Sequence, residues 1–486
     1  MARPAALKTA LLALLLCAGA CAKKEQVVIF ATGRSQGRIW ADAEAGTGGF
    51  AVFKKLYDSE PAPKLALDLG NWSSATREGW LSRGRSTAAC VSAVPYAAAG
   101  AGLEDLSLSP AELQKMAEAS TVPLLASNLY LKNNKKPDFL RSQVITQAGG
   151  RKIGVFSLII HSPSKPNSAR NVPNYRLEKE TYETERALKA LKDGGAQLTV
   201  MLLSVNPKEK AAPEYFRAFL AKLPRVDLVI TDEPSVKKAF RVGKTWVAPA
   251  GLEMSHAARL ALTLEAGTGR LSRVRVKQLP LSVKKYGEDP AMLKVIDGFR
   301  KIAAAHFGRK IGRLTSPLPL EDHGVSPAAD FAADCMRRWA RTNAAIIGLK
   351  EPAAGFESGD VTVGDLHDSF PLDSSVVFVK IRGDDLERAL AGLNPGELSV
   401  SGLKLFLRDG ALEKAETETG PLVPGRVYHV AVPDSLVTGR ENPVLSSAME
   451  FANSRRHLRE VVGWCFSRQS SFSRPAGGRI IKAGAD

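Results

Sequence analysis

The amino-acid sequence predicts two domains, an α/β domain followed by an α+β domain. The chain has 486 residues, which is more than a single hydrophobic core usually supports. Up to about residue 283, strand-like apolar runs at 27–30, 64–67 and 152–160 alternate with helix-like stretches at 50–57 and 178–192. Strands that alternate with helices in this way indicate a layered α/β domain.

The pattern changes beyond residue 313, where predicted helices at 328–342 and 383–391 are combined with strands at 376–381, 403–407 and 428–432. Between the two regions, apolar residues recur at helical spacing and predict a connector helix. We therefore expect four segments: a signal peptide over 1–20, an α/β domain over 26–283, a connector over 284–312 and an α+β domain over 313–482.

The first residues have the organisation of an export signal. Arg3 and Lys8 precede the apolar run 9–17, which is too short to span a bilayer. Ala18-Gly19-Ala20-Cys21 resembles a bacterial lipobox, although Ala18 stands where leucine is usual. We predict that Cys21 becomes lipidated and holds the protein on the periplasmic face of a bacterial membrane. The alternative is simple cleavage after an A-x-A site formed by the same residues.

The composition limits the partners. The formal net charge is +17, which is compatible with nucleic acid, a membrane surface or anionic ligands. No lysine and arginine block is dense enough to form a nucleic-acid stripe, so we expect no nucleic-acid partner.

Five cysteines are present, of which Cys90, Cys335 and Cys465 lie beyond the signal region. At most one disulfide can form among these three, and the sequence contains no C-x-x-C motif. We interpret the three as small buried hydrophobic residues, with a redox thiol as the weaker alternative.

Several motifs resemble those of the bacterial 5′-nucleotidase family. Leu67–Trp72 (LDLGNW) is similar to that family's L-D-x-G-D-W run, and the VDLVI segment at 226–230 lies where the family has the same strand. The segment 360–371 (DVTVGDLHDSFP), followed by VVFVKIRGDDLERAL, is the most specific match. The resemblance implies a four-layer metallophosphoesterase-like sandwich followed by a 5′-nucleotidase C-terminal domain.

Members of this family hydrolyse phosphate esters with two divalent metals, which their ligands hold in a single cleft. The resemblance places Arg34 and Gln36 at an aspartate and a histidine position, Asn71 at an aspartate position and Glu104 at the catalytic histidine. Asp232-Glu233-Pro234-Ser235 replaces the family's G-H-S-H. The α/β region contains only two histidines, His161 and His256. The predicted vestigial cleft therefore comprises Arg34, Gln36, Asp68, Asn71, Glu104, Asp105 and Glu233.

These substitutions lead to two hypotheses. The first is a lipoprotein that has lost its dimetal centre and acts as a non-catalytic binding or scaffold protein, with no cofactor. Its arginines, Arg34, Arg77, Arg83 and Arg85, would then bind an anionic small ligand. The second is an active 5′-nucleotidase, or a related phosphoester or sulfur-ester hydrolase of nucleotide catabolism. In that case oxygen atoms of Asn71, Glu104, Asp105 and Glu233 would bind a divalent metal.

Overall fold

The computed structural model of the protein describes residues 24–483 except 74–76, 161–170, 173, 206–212, 266–267, 322–324, 438–443, 445–446 and 470. The predicted signal peptide, Cys21 and His161 lie outside the described residues. The chain divides into two compact units, Met1–Arg300 and Lys301–Asp486. No helix among the described residues is long and apolar enough to cross a membrane.

The first unit contains fifteen described strands and seven helices that lie wholly within it. In chain order the strands are β1 (Lys24–Thr32), β2 (Lys64–Asp68), β3 (Tyr96–Gly100), β4 (Leu124–Leu125), β5 (Leu129–Leu131), β6 (Gln143–Ala148), β7 (Arg151–Ile160), β8 (Asn171–Val172), β9 (Tyr175–Leu177), β10 (Leu198–Val205), β11 (Leu228–Thr231), β12 (Phe240–Val242), β13 (Thr245–Pro249), β14 (His256–Glu265) and β15 (Leu271–Pro280). The helices are α1 (Phe50–Asp58), α2 (Arg77–Ser82), α3 (Arg85–Ser92), α4 (Pro110–Glu118), α5 (Glu180–Asp193), α6 (Pro213–Lys222) and α7 (Val283–Tyr286). Helix α8 (Pro290–Phe307) spans the boundary between the units and lies within the predicted connector segment.

Two six-stranded sheets form the centre of this unit, with strand orders β15-β14-β1-β2-β3-β4 and β12-β13-β11-β10-β7-β6. Strand β1 shows how the sequence produces the layers, because its side chains alternate between two cores. Val27 and Ile29 pack between the two sheets against residues such as Val200. Val28 and Phe30 face the opposite side and pack with helix α1. Helices α5 and α6 cover the outer face of the second sheet.

This α-β-β-α arrangement confirms the predicted four-layer sandwich. Short-range sequence signals account for where its helices begin and where its strands turn. Helix α4 begins with Pro110, and Ser109 and Glu112 form a capping box that satisfies the first free backbone amides. Gly149 and Gly150 both have positive φ, at 57° and 73°, and join β6 to β7 in a tight turn.

The second unit confirms the predicted α+β organisation. Its strands are β16 (Lys310–Leu314), β17 (Ala344–Gly348), β18 (Gly359–Thr362), β19 (Ser375–Arg382), β20 (Leu398–Ser401), β21 (Lys404–Arg408), β22 (Ala411–Thr417), β23 (Gly420–Pro421), β24 (Val427–Pro433), β25 (Glu450–His457) and β26 (Ile480–Ala483). Its helices are α9 (Pro327–Ala340), α10 (Val363–Ser369), α11 (Gly383–Gly392), α12 (Asp434–Val437) and α13 (Leu458–Arg468). A five-stranded sheet, β20-β17-β24-β19-β25, lies between two hydrophobic cores.

The cysteines are partly as predicted. Cys90 is a fully buried free thiol in α3, and burial raises its pKa well above the usual range, so a reactive thiolate is not supported there. Cys335 and Cys465 are buried as predicted, but they form the one disulfide that the sequence allowed and are not simply small hydrophobic residues. Helices α9 and α13 pack against each other and bring the two Cα atoms to 5.8 Å, within bonding range.

Candidate functional site

The predicted cleft residues follow neighbouring strands at the carboxyl edge of the first unit. Strands β1, β2 and β3 run parallel in one sheet, and β7, β10, β11 and β13 run parallel in the other. Arg34 and Gln36 follow β1, Asn71 follows β2, Glu104 follows β3 and Glu233 follows β11. In open α/β sheets this edge is where ligands bind, so the loops are placed as a binding or catalytic site requires.

Arg34 is the centre of this arrangement. Its Nε lies 3.1 Å from Asp232 Oδ2, and its second terminal nitrogen donates to the backbone oxygens of Val205 and Asp232, both at 3.3 Å. The Arg34 residue is 7% exposed and Asp232 is 2% exposed. The guanidinium therefore links the loop after β1 to the ends of β10 and β11 in the opposite sheet.

Asn71 joins the same group from the loop after β2. Its Nδ2 lies 3.3 Å from Ser204 Oγ and 3.4 Å from Asp232 Oδ2, while its Oδ1 accepts the Glu104 backbone amide at 2.8 Å. The side chain is fully buried. An amide can donate and accept at once, whereas an aspartate here would face Asp232 as a second negative charge.

The buried position of the Asp232 carboxyl shifts its pKa. Burial raises its pKa to about 6, while the charge of Arg34 and the backbone amide of Val205 act in the opposite direction. An ionised Asp232 consequently depends on Arg34 as its counter-ion.

Asp105 has a structural role that the sequence did not reveal. Its two carboxylate oxygens accept the backbone amides of Asn71, Trp72, Ser73 and Gly102 at 2.8–2.9 Å. The Ser73 hydroxyl donates a further bond at 3.1 Å. Asp105 therefore holds together the loops after β2 and β3, and its oxygens are committed to those amides.

We expect Asp105→Asn to lower the free energy of unfolding by about 2–3 kcal/mol, because one oxygen becomes an NH₂ group that faces buried amide donors. Equilibrium urea unfolding measures the difference. The exposed Asp193→Asn is the matched control and should change stability by less than about 0.5 kcal/mol. Equal unfolding of the wild type and Asp105→Asn would contradict the assignment.

Asp68, like Asp105, is a buried hydrogen-bond acceptor that holds the loop after β2, and it is not a free cleft residue. It accepts Thr32 Oγ1 at 2.5 Å, the Gly70 amide at 2.8 Å and Trp72 Nε1 at 2.8 Å. Trp72 is fully buried, so this side chain belongs to the core and does not face a ligand.

The solvent side of the site is a chain of polar contacts. Gln36 Nε2 donates to Glu104 Oε2 at 2.7 Å, and Arg38 donates to Gln36 Oε1 at 3.0 Å. Arg38 also lies 3.4 Å from a Glu253 carboxylate oxygen. Amide and ion-pair contacts thus connect the loops that follow β1, β3 and β13.

Glu233 lies beside this network in a pocket of about 250 Å³ that is also lined by Asp232 and His256. Its residue is 2% exposed, and its Oε1 accepts the Ser235 amide at 3.2 Å. Among the described residues, no group of three or more His, Cys, Asp or Glu side chains is arranged to hold a metal ion. A buried guanidinium at Asp232 and the committed oxygens of Asp105 do not fit a centre of two divalent metals.

The predicted arginine cluster is divided among separate partners. Arg83 lies 3.5 Å from Glu112 and above the Trp80 ring, and Arg85 Nε donates to the Ser82 backbone oxygen at 2.9 Å. Arg34 is paired with Asp232. Binding of an anionic ligand by these arginines therefore stays a prediction, and their present contacts do not favour it.

Asp232 and Ser204 take part in the site although the predicted cleft did not include them. Both follow apolar strand residues, at the ends of β11 and β10. A carboxylate directly after the buried strand Leu228–Thr231 was an available signal, because such a position opens onto the carboxyl edge.

The loops keep an unfavourable backbone geometry. Arg34, Gln36 and Asn71 all have left-handed backbones, with φ of 50°, 50° and 60°. For residues with a Cβ this conformation costs about 1 kcal/mol or more each, so the surrounding contacts must hold it.

Comparisons with known proteins show which structures this architecture resembles. Residues 310–447 match the family model of the 5′-nucleotidase C-terminal domain. A 5′-nucleotidase precursor from Thermus thermophilus is 17% identical, with 95% of this chain and 100% of that chain covered and a TM-score of 0.65. A Staphylococcus aureus protein described as a 5′-nucleotidase, in complex with alpha-ketoglutarate, is 12% identical over 94% and 100%, with a TM-score of 0.72. The sulfate thiohydrolase SoxB of Thermus thermophilus, in complex with glycerol, is 13% identical over 95% and 97%, with a TM-score of 0.58. A search of curated proteins finds no match.

The fold is thus that of a metallophosphoesterase-like sandwich joined to a smaller α+β domain. More specifically, the chain has the two-domain fold of the 5′-nucleotidases, and its residues 310–447 match the model of their C-terminal domain.

Proposed function

We propose that this chain is an exported, lipid-anchored protein of 5′-nucleotidase fold that has lost its dimetal centre and serves as a binding or scaffold protein of the cell envelope. The observation that carries the proposal is the ion pair between Arg34 and Asp232 at the carboxyl edge. A fixed positive charge in the space where divalent cations would be bound opposes them by several kcal/mol at reduced dielectric.

The surrounding contacts support the same proposal. Asn71 donates to the Arg34–Asp232 group, and the Asp105 oxygens accept backbone amides. In the alternative, a rearranged hydrolase centre, Asn71, Glu104, Asp105 and Glu233 would have to release these contacts to bind metal. The left-handed loops at Arg34 and Asn71 preserve the shape of the edge and are compatible with a role in binding.

The disulfide supports export independently of the N-terminal sequence. Cys335 and Cys465 are both buried and bonded, and disulfides of this kind persist mainly in oxidising compartments such as the bacterial periplasm. Together with the lipobox-like Ala18–Cys21 segment, this favours a position on the periplasmic face of the membrane.

Purified protein supplied with manganese, zinc or cobalt should show no hydrolysis of nucleotides, phenyl phosphate or a sulfur ester. A known active 5′-nucleotidase assayed in parallel is the positive control. Elemental analysis of freshly purified protein should find no stoichiometric divalent metal. Turnover that is lost on chelation, together with bound metal, would overturn the proposal and favour the hydrolase.

A further inference from the structure

We propose that the amino edge of the first unit, where its parallel strands begin, lies against an anionic phospholipid surface. We call this surface the basic edge and define it by six cations: Arg151, Lys152, Lys192, Lys244, Arg270 and Arg273. The inference rests on the lipid anchor proposed above and adds the orientation that the anchored protein takes on its membrane.

The turns that carry these cations lie at one edge of both sheets. The turn at Gly149 reaches the start of the other sheet, since a Cβ added there would lie 3.3 Å from side-chain atoms of Pro63 and Val27. Gly269 lies between β14 and β15, and a Cβ added there would lie 3.3 Å from Arg151 Nη1. The beginnings of β1, β2 and β7 and the β14–β15 connection therefore share this edge.

The strand register shows that Arg273 also lies at this amino edge. Gln26 near the start of β1 pairs with Thr263 of β14, and Thr263 pairs with Arg273 of β15. Lys244 occupies the tight connection between β12 and β13, where β13 begins parallel to β11. Lys152 is hydrogen-bonded through its backbone to Gln197 in the loop before β10.

The charge of this edge is unbalanced. Lys152, Lys192, Lys244 and Arg273 are exposed, and none forms an ion pair with another described residue. The nearby acids include Asp193, Asp227 and Glu265. Asp227 lies 3.5 Å from Arg225, and Glu265 is paired with Arg270 at 3.0 Å. Cations thus outnumber acids at the edge.

The opposite edge has a different character. A pocket of about 340 Å³ at the carboxyl edge is lined by the acids Asp42, Glu78 and Glu253 together with Arg38. This acidic pocket would repel an anionic surface, whereas the exposed cations of the amino edge would attract it.

The length of the tether makes the contact obligatory once the anchor is in place. Cys21 precedes Lys24, the first residue of β1, by three positions. Three extended residues span at most about 10 Å. The start of β1 would therefore stand within about 10 Å of the headgroups, a distance comparable with the screening length of about 8 Å in physiological salt, so nearby basic residues would be attracted to anionic lipid.

The test uses the processed full-length protein reconstituted in vesicles of phosphatidylcholine, with or without phosphatidylglycerol. Backbone hydrogen exchange is followed in the turns 149–152, 243–245 and 268–273. We expect slower exchange in these turns when phosphatidylglycerol is present, and loss of this protection at high salt. The triple variant Lys152→Glu, Lys244→Glu and Arg273→Glu should lose the protection while its exchange elsewhere stays unchanged.

The matched control reverses three exposed cations at the carboxyl edge, Lys237→Glu, Lys238→Glu and Lys284→Glu, and should keep the protection. Mass spectrometry of the N-terminal peptide tests the anchor separately. An unlipidated Cys21 would overturn the proposed anchor. A lipidated protein with equal exchange in both kinds of vesicle, or protection that the carboxyl-edge variant alone abolishes, would overturn the orientation and leave the anchor standing.

Discussion

Replacement of Arg34 by methionine should lower the free energy of unfolding of the first unit by about 3–5 kcal/mol, because it leaves the Asp232 carboxylate buried without its counter-ion. Equilibrium urea unfolding measures the change, with hydrogen exchange in β1, β10 and β11 used to monitor the first unit. The matched control is Arg38→Met, since the Arg38–Glu253 pair is exposed and should contribute about 0–1 kcal/mol.

The pH dependence of the Arg34→Met effect identifies Asp232 as the cause. A carboxyl whose pKa is raised in the folded protein stabilises the fold below its unfolded pKa and loses that contribution as pH rises through the folded pKa. Asp232 has a folded pKa of about 6, and loss of Arg34 should raise it further. The destabilisation should therefore be largest above that pKa and should shrink in acid, where Asp232 is neutral.

A second variant distinguishes the pair from general packing. Combining Arg34→Met with Asp232→Asn removes both charges and should recover a large part of the lost stability. A double variant as unstable as Arg34→Met alone, or a deficit independent of pH, would contradict the role assigned to this ion pair.

The order of strands and helices was accessible from sequence because it depends on local periodicity. The run at 152–160 predicted β7, and the stretch at 178–192 predicted α5, because a buried strand and an amphipathic helix each have a short-range signature. Helix α10 has a short-range start signal too, since Thr362 and Asp365 form a capping box.

The site was only partly accessible, because its important contacts join distant parts of the chain. The sequence showed that Arg34 and Asn71 have the wrong chemistry for metal ligands, but not which residues they contact. Arg34 and Asp232 are 198 positions apart, and no periodicity relates them. The role of Asp105 likewise depends on four backbone amides, which carry no residue-type signal at all.

The disulfide between Cys335 and Cys465 should be the largest single contribution to the stability of the second unit. The bond joins residues 130 positions apart, so breaking it releases a long loop in the unfolded chain and should cost about 3–5 kcal/mol. We expect the variant Cys335→Ala/Cys465→Ala, or the reduced protein, to unfold at lower urea. Hydrogen exchange in β17, β19 and β24 follows the second unit specifically.

Cys90→Ala is the matched control, since Cys90 is a free buried thiol in the first unit and its loss removes no cross-link. It should leave the unfolding of β17, β19 and β24 unchanged. Exported protein should contain one titratable thiol after unfolding, whereas protein retained in a reducing cytosol should contain more and be less stable. Equal stability of the second unit with and without the bond would contradict the assigned contribution. If the exported protein contained three titratable thiols, the disulfide would no longer argue for an oxidising compartment, and export would depend on the N-terminal segment alone.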